Sequence, residues 1–236
     1  MSRIIYNNVN GLDLSAHSTT LETICDYIYM NNFDIVCMSE TNAHCKNQRS
    51  YSTMYGIFRK VWKSFHLTTS ETSTPWPSIY KPGGTTTLTA TNLSSRITSS
   101  GEDPHELGRW SYITFGSINQ AQLTIINDCR TCKQISDSGD STAHLQQWDI
   151  FKERNQETED IRSKRIQGLI IFTNKLISPN HEMILLVYTN EAFTSSECGL
   201  SKLTRKTNIT DQIFNKHGSH LEPNTHKSTS LIWKSS

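Results

Sequence analysis

The sequence lacks the features that mark membrane and secreted proteins. It has no run of roughly 18 or more apolar residues, the length that a helix needs to cross a bilayer. Residues 1–5 also lack the basic start and long apolar segment of a signal peptide. These absences predict a cytoplasmic or nuclear protein with no membrane partner.

An excess of charge of either sign is missing as well. Lysine and arginine together number 23 against 22 aspartates and glutamates, so the net charge of the 236 residues is +1. Proteins that attract nucleic acid through their overall field carry a marked basic excess, and no such field is present here. The length allows one large domain or two small ones, and we expect a single domain over residues 1–236.

Cysteine pairs with the spacing of metal sites are scarce. Among six cysteines, Cys129 and Cys132 form the one Cys-x-x-Cys pair, and a zinc site would need two further ligands at suitable spacing. A redox pair is expected at a helix N-terminus, whereas residues 133–137 have a loop pattern. A metal or redox protein built on this pair is retained as an alternative.

The most informative stretch of the chain is residues 34–41. Residues 35–38 form a short apolar run typical of a buried strand, and Ser39, Glu40 and Thr41 follow it directly. A carboxylate at the carboxyl end of a buried strand is held rigidly and still faces solvent, which favours a functional role for Glu40. The alternative is a strand that simply ends in a polar turn.

Two other apolar strands are also followed by polar side chains. Residues 4–6 precede Asn8 and Asn10, which would point the same way on a strand. Residues 183–187 form the most strongly apolar strand, and Asn190 follows it. Amides placed in this way can orient a carboxylate or contact a metal or phosphate, although asparagine is also common in turns.

The rest of the pattern mixes helices and strands. Helices are predicted at 18–31, 142–175 and 199–208, and the polar stretch 152–160 either divides the second helix in two or lies exposed on it. Strands are predicted at 55–58, 61–62, 85–91, 108–115, 123–127 and 228–232, with a polar loop at 68–77. Strand, helix and strand within the first ~40 residues fit a βαβ-like unit.

The order of these motifs resembles the endonuclease/exonuclease/phosphatase superfamily. The motifs are Asn-Val-Asn-Gly-Leu from residue 8, Ser-Glu-Thr from residue 39, Gly-Arg-Trp from residue 108, Ile-Ile-Asn-x-x-Arg from residue 125, and Asn-Glu from residue 190. Each motif is short, and their shared order over about residues 4–226 carries the resemblance. The sequence is most similar to the endonuclease-like domains of eukaryotic non-LTR retrotransposon polyproteins, which accompany a reverse transcriptase.

The resemblance implies both a fold and a chemistry. The fold is α+β, a four-layer α/β/β/α sandwich of the endonuclease/exonuclease/phosphatase type, incomplete at the C-terminus. The chemistry is Mg²⁺-dependent cleavage of phosphodiesters in nucleic acid, DNA being favoured, with no small-molecule cofactor. Mg²⁺ takes a few hard oxygen ligands, keeps several waters, and stabilises charge on the phosphate and leaving oxygen.

The resemblance also implies roles for individual residues. The matched positions are two catalytic asparagines, a metal-binding glutamate with a neighbouring amide, and two arginines near the phosphate: Asn8, Asn190, Glu40, Asn10, Arg109 and Arg130. The family's tyrosine beside the phosphate falls on Cys129. Its water-activating aspartate falls on Tyr188, and a phenol, which ionises near pH ~10, is a poor base at neutral pH.

The end of the sequence departs from the family further. The closing motifs, which end in a histidine, have no counterpart after residue 225, where His226 stands out of place. Loss of one catalytic group typically lowers the rate by ~10²–10⁴. We therefore expect an impaired nuclease in which Mg²⁺ is bound weakly or not at all. We also expect an unpaired sheet edge and a thinner core.

Two classes of function remain open within this resemblance. The first is a Mg²⁺-dependent endonuclease with some activity. The second is an inactive nucleic-acid-binding remnant of the same fold. The nuclease interpretation requires that Asn8, Glu40 and Asn190 converge at one end of the sheets, with Tyr188 beside them.

Overall fold

The computed structural model describes residues 2–14, 19–117, 119–131, 142–156, 160–188, 199–212 and 229–234. Their elements are β1 (Ile4–Asn8), α1 (Thr19–Asn31), β2 (Ile35–Ser39), α2 (Gln48–Phe58), β3 (Phe65–Ser70), β4 (Thr85–Ala90), α3 (Thr91–Ser94), β5 (Ile97–Glu102), β6 (Trp110–Gly116), β7 (Gln122–Cys129), α4 (Ala143–Glu153), α5 (Ile161–Leu176), β8 (His181–Tyr188), α6 (Gly199–Thr207), β9 (Thr210–Asp211) and β10 (Thr229–Lys234). No helix within these ranges has the length and apolar character required to cross a membrane.

The strands form two mixed sheets. The first has the order β1-β2-β4-β3, with β1 and β2 parallel, and the second has the order β5-β6-β7-β8-β10-β9, with β7 and β8 parallel. A parallel pair needs a crossover connection, which α1 supplies in the first sheet and α4 and α5 supply in the second. The βαβ-like unit predicted at the N-terminus is confirmed.

The side chains of β2 alternate between the two faces of the first sheet and pack into the layers on either side of it. Ile35 and Cys37 pack between the sheets, in the same cluster as Ile125 of β7. Val36 and Met38 point the opposite way, into a cluster formed with residues of α1 and α2. All of β2 is buried because both faces of the sheet are covered.

The outer face of the second sheet is covered by helices in the same way. Leu185 and Val187 of β8 share a buried cluster with Leu169 of α5 and with Leu200 and Leu203 of α6. The layers are therefore helix, sheet, sheet and helix. The predicted α/β/β/α sandwich is confirmed.

Residues 48–58 form helix α2, so the strand predicted at 55–58 is wrong. The side chain of Asn47 caps this helix by accepting hydrogen bonds from the backbone N–H groups of the two residues that follow Gln48. Met54 and Phe58, one turn apart, are buried against the first core. The aromatic and β-branched residues favour a strand locally, but burying this helical face outweighs that preference.

The edges of both sheets were poorly predicted. The predicted loop at 68–77 begins too early, because strand β3 includes its first residues. The sequence pattern did not predict strand β5, and the strand predicted at 61–62 is wrong because these residues form no strand. Both β3 and β5 are edge strands rich in serine and threonine. Edge strands of this kind bury little apolar surface, so their sequences show weak hydrophobic alternation.

Strand β10 changes the expectation for the C-terminal part of the sheet. It confirms the strand predicted at 228–232 and pairs with β8 from Thr229 opposite Tyr188 to Lys234 opposite Met183. Strand β9 then pairs with β10. Strand β8 is therefore paired on both sides, and the described edge of this end of the sheet is β9.

We expect Gly56→Ala to stabilise the protein by about 0.5–1 kcal/mol. Gly56 lies in α2, and a Cβ atom there would meet nothing within 4 Å. Alanine therefore restricts the unfolded chain without a clash. Urea unfolding curves measure the change. The control is Gly108→Ala, which should destabilise the protein because the φ of Gly108 is +64° and the new Cβ would lie 2.6 Å from the backbone nitrogen of Thr72. A Gly56→Ala protein less stable than the natural protein would contradict the assignment of residues 48–58 to a helix.

Candidate active site

The ends of β1 and β2 form one side of the site. Asn8 is in register with Ser39, and backbone hydrogen bonds continue past both strands, from Val9 N–H to the Ser39 oxygen (3.1 Å) and from Gly11 N–H to the Glu40 oxygen (2.7 Å). Gly11 adopts a φ of +108°, which allows the chain to turn here. These contacts place Asn8 and Glu40 on neighbouring strand ends.

Glu40 has a left-handed backbone conformation, with a φ of 51°. For a residue that is neither glycine nor asparagine, this conformation costs roughly 1–2 kcal/mol. The hydrogen bond from Gly11 helps to hold it, and the side chain remains partly exposed. Backbone strain of this kind clusters at functional sites. It occurs here at the residue for which the sequence predicts metal binding.

The ends of β7 and β8 form the other side of the site. Cys129 is in register with Tyr188, and the backbone N–H of Arg130 donates to the Tyr188 oxygen at 3.1 Å. Both side chains are buried, with 4% of Cys129 and 6% of Tyr188 exposed. The two residues therefore end neighbouring parallel strands, as Asn8 and Ser39 do in the first sheet.

Direct contacts join these two sides. Burial raises the pKa of the Cys129 thiol, and the charge of Glu40 raises it further, so Glu40 lies close to this thiol. The hydroxyl of Tyr6 lies 3.0 Å from the Ser39 hydroxyl and 3.3 Å from the backbone oxygen of Asp128. The carboxyl ends of β1, β2, β7 and β8 therefore meet at one end of the facing sheets, which we call the rim.

The rim brings together four of the residues that the sequence singled out. Asn8 and Glu40 come from the first sheet, and Cys129 and Tyr188 come from the second. Asn190 lies outside the described residues. The structure therefore places Tyr188 beside Cys129 at the end of the second sheet and leaves the position of Asn190 as a prediction.

Asn10 does not extend β1, so the expectation that Asn8 and Asn10 point the same way along a strand is wrong. Strand β1 ends at Asn8, and Asn10 is exposed with a φ of 46°. Its backbone N–H donates to the side-chain oxygen of Asn8 at 3.0 Å. This local hydrogen bond shows that Asn8 helps form the turn, while its amide oxygen keeps a second lone pair.

Arg109 is corrected from a phosphate-binding residue to a structural one. Only 1% of it is exposed, and its guanidinium is paired with Asp103, including a bond from Nη2 to Oδ1 of 2.8 Å. The same group lies 4.5 Å from the centre of the Trp110 ring. These contacts use the guanidinium inside the protein, so it is not accessible to a phosphate. Arg130 is also largely buried but lines a surface pocket.

A buried ion pair that the sequence did not reveal lies directly beneath the rim. Arg165 of α5 donates from Nε to Oδ1 of Asp128 at 3.0 Å and forms a second bond from Nη2 to Oδ2. Both side chains are buried. Burial raises the pKa of Asp128, and the opposing charge of Arg165 offsets part of this rise. The aspartate was visible in the sequence, but its partner lies 37 residues away.

The rim offers oxygen ligands that fit a weakly bound Mg²⁺. Within the described ranges, no group of three or more His, Cys, Asp or Glu residues is arranged to hold a metal ion. Mg²⁺ does not require such a group, because it is usually held by one or two carboxylates together with waters and substrate phosphates. The Glu40 carboxylate and the free lone pair of the Asn8 amide supply this minimal set.

The Cys-x-x-Cys pair gains no support as a metal or redox site. Burial raises the pKa of the Cys129 thiol strongly, so the neutral thiol predominates at neutral pH. The thiolate is the form that binds metals and attacks disulfides. Cys132 lies outside the described residues. The state of Cys129 therefore opposes this alternative.

Two facing mixed sheets flanked by helices define the fold of the endonuclease/exonuclease/phosphatase proteins, and solved structures of that family share it. An endonuclease/exonuclease/phosphatase family protein from Leptotrichia buccalis C-1013-b matches with a TM-score of 0.59 and 14% identity, covering 100% of this chain and 88% of its own. No protein-family model and no curated protein matches the sequence.

Two nucleic-acid enzymes share the fold at similar levels. An AP endonuclease from Archaeoglobus fulgidus has a TM-score of 0.56 and 12% identity, covering 99% of this chain and 86% of its own. D. rerio TDP2, in complex with a single-strand DNA product, has a TM-score of 0.56 and 12% identity, covering 99% of this chain and 83% of its own. At these identities the comparisons establish the fold.

Proposed function

We propose that this protein is a Mg²⁺-dependent phosphodiesterase acting on nucleic acid, of the retrotransposon endonuclease type, with reduced catalytic power. The observation that carries the proposal is the meeting of Asn8, Glu40, Cys129 and Tyr188 at one end of the facing sheets. Similarity in fold to an AP endonuclease and to TDP2 with bound DNA favours DNA as the substrate.

Three of the rim residues have a chemical role in this proposal. Glu40 and the amide of Asn8 hold the metal ion, which when bound stabilises negative charge developing on the phosphate and leaving oxygen. Tyr188 stands where a base would activate water. Phenols ionise only near pH ~10, so a water molecule beside Tyr188 keeps its proton at neutral pH. This substitution is the proposed cause of the reduced rate.

An inactive nucleic-acid-binding protein of the same fold is the second candidate. The observation that favours it is the burial of Tyr188 and of the neutral thiol of Cys129. Neither group provides an accessible base for hydrolysis. The two candidates differ in one measurable property, since only the first predicts Mg²⁺-dependent cleavage above the uncatalysed rate.

We expect Glu40→Gln to abolish Mg²⁺ binding, because Glu40 is the one carboxylate that the resemblance assigns to the metal. Isothermal titration calorimetry of the natural and substituted proteins measures the effect. Glu106→Gln is a matched control, since Glu106 is an exposed glutamate with a similar φ of 57°. An unchanged Mg²⁺ affinity in the Glu40→Gln protein would show that the metal binds elsewhere.

Tyr188→Asp is expected to raise Mg²⁺-dependent nicking of supercoiled plasmid at least ~10-fold, because it places a carboxylate where the proposal needs a base. Tyr188→Asn is the control, since asparagine has a similar shape but is not a base. Adding Glu40→Gln to Tyr188→Asp should remove the gain. Strong cleavage by the natural chain would contradict the impairment, and equal rates for the Asp and Asn variants would contradict the assigned role of residue 188.

A further inference from the structure

A basic pocket lies between α5 and α6, beside the end of β7. Its volume is about 470 Å³. Four cationic side chains line it, from three separate parts of the chain: Arg130, Arg162, Lys202 and Lys206. Among the lining residues that the structure describes, Asp160 is the one carboxylate. This local concentration of positive charge contrasts with the overall net charge of +1.

The carboxylate of Asp160 is already engaged at the start of α5. It accepts hydrogen bonds from the backbone N–H of Ser163 at 2.9 Å and from the Ser163 hydroxyl at 2.7 Å. Burial acts to raise the pKa of Asp160, but these hydrogen bonds outweigh it and hold the pKa below its ordinary value. Asp160 therefore serves as an ionised helix cap, and the pocket keeps a positive charge.

Two polar atoms in the pocket wall have unmet hydrogen-bonding capacity. Nε of Arg162 and Nδ1 of His144 are inaccessible to solvent and have no hydrogen-bond partner in the part of the chain that the structure describes. Burial lowers the pKa of His144, and the nearby charge of Arg162 lowers it further. An anion bound in the pocket would place negative charge beside both side chains and oppose the effect of Arg162 on His144.

The opposite wall presents two lysines in line. Lys202 and Lys206 are four residues apart on α6, so they lie on the same face of the helix, and both are exposed. Flexible lysines around a groove are suited to binding phosphate as point charges, whereas arginine offers a fixed set of donors. The pocket combines both kinds of contact.

The pocket adjoins the rim through Arg130. This residue directly follows Cys129, whose thiol lies close enough to Glu40 for the charge of Glu40 to raise its pKa, after burial, which raises it most. We propose that the pocket binds a phosphate group of a nucleic-acid strand, held by Arg162, Lys202 and Lys206, while a neighbouring phosphodiester lies at the rim. The position at the rim rests on the proposed function, whereas binding of phosphate in the pocket does not.

The test compares two proteins that each lack three positive charges. One carries Arg162→Gln, Lys202→Gln and Lys206→Gln. The control carries Arg49→Gln, Lys63→Gln and Lys175→Gln, which removes one arginine and two lysines that are exposed elsewhere on the surface. Fluorescence anisotropy with a labelled single-stranded DNA oligonucleotide in EDTA measures binding without cleavage.

We expect the pocket variant to bind the oligonucleotide at least tenfold more weakly than the natural protein, and the control within about twofold. The slope of log affinity against log salt concentration should also decrease by ~2 in the pocket variant, at ~0.7 per lost contact to a single strand. Equal losses in the two triple variants would overturn the proposal, because overall charge alone would then explain the binding.

A second measurement distinguishes free phosphate from phosphate in a strand. Histidine NMR titrations follow His144 with and without inorganic phosphate, which should raise its pKa in the natural protein and not in the pocket variant. A higher pKa of His144 in the presence of phosphate shows that the pocket accepts the free ion. An unchanged pKa, together with the tenfold loss of oligonucleotide binding, assigns the pocket to strand phosphates. No rise and no selective loss would refute the pocket. The nuclease proposal is tested separately by the dependence of Mg²⁺ binding on Glu40, so the two proposals can fail independently.

Discussion

Arg165→Met is expected to lower the free energy of unfolding by about 3–5 kcal/mol. The substitution keeps much of the aliphatic stem of the side chain but removes the guanidinium that pairs with Asp128. Asp128 has no exposed surface, so its carboxylate would lose its direct partner while remaining buried. An unpaired buried charge is among the most destabilising changes that a single substitution can produce.

Chemical denaturation of the natural and Arg165→Met proteins measures this loss. Lys175→Met is the matched control, because Lys175 is exposed on the same helix and its loss should change stability by no more than ~0.5 kcal/mol. Adding Asp128→Asn to Arg165→Met should recover part of the loss, since it removes the buried charge. An Arg165→Met protein as stable as the control would contradict the ion pair.

The loss of stability caused by Arg165→Met should also depend on pH in a defined direction. Burial already raises the pKa of Asp128 above its ordinary value of 3.8, and removing Arg165 removes a charge that lowers it. A carboxyl whose pKa is higher in the folded state binds its proton more tightly there, so stability falls as pH rises through the interval between the two pKa values. The loss caused by Arg165→Met should therefore be smaller at pH ~5 than at pH ~7.5.

Asn127→Asp is expected to destabilise the protein by about 3 kcal/mol or more at neutral pH. The amide nitrogen of Asn127 is buried and lies 3.0 Å from the backbone oxygens of Met38 and Thr86 and 3.1 Å from the Thr87 hydroxyl. It thereby links β7 to two strands of the other sheet. Aspartate has the same shape, but it would place a charged acceptor against two backbone oxygens.

Asn127→Ala separates the lost hydrogen bonds from the added charge. It removes the donor without adding a charge, and its expected cost is about 1–3 kcal/mol. Thermal unfolding should rank the proteins as natural, then Ala, then Asp at pH ~7, with the Asp variant approaching the Ala variant in acid as its carboxyl becomes protonated. An Asp variant as stable as the natural protein would show that Asn127 does not link the sheets.

Secondary structure was predicted correctly where neighbouring residues alone specify it. Strands β2 and β8 were predicted because each is a continuous apolar run buried on both faces. Helix α2 was not, because the aromatic and β-branched residues around Gly56 have a strand-like pattern. The burial of Met54 and Phe58 against the first core decided the outcome.

The same distinction applies to the site. Asn8 and Glu40 could be selected from the sequence because each follows an apolar strand within a few residues. The buried position of Arg109 could not be predicted, because the chain before β6 places Asp103 against its guanidinium in the interior. The basic pocket was also hidden, since packing of α5 against α6 brings together Arg162 and Lys202, which are 40 positions apart in the numbering.

The sequence by itself determined the order of the main strands and helices and the polar residues that follow the strands. These features arise from hydrophobic period, caps and turns, which act over a few residues. The four-layer fold was implied by the resemblance of the motifs to the endonuclease/exonuclease/phosphatase superfamily. Only the tertiary structure decided which strand ends meet at the rim, that Arg109 is enclosed, and that Asp128 pairs with Arg165. Asp128 and Arg165 are 37 positions apart, and the burial that encloses the Arg109–Asp103 pair comes from packing of distant segments, so no local pattern specifies these features.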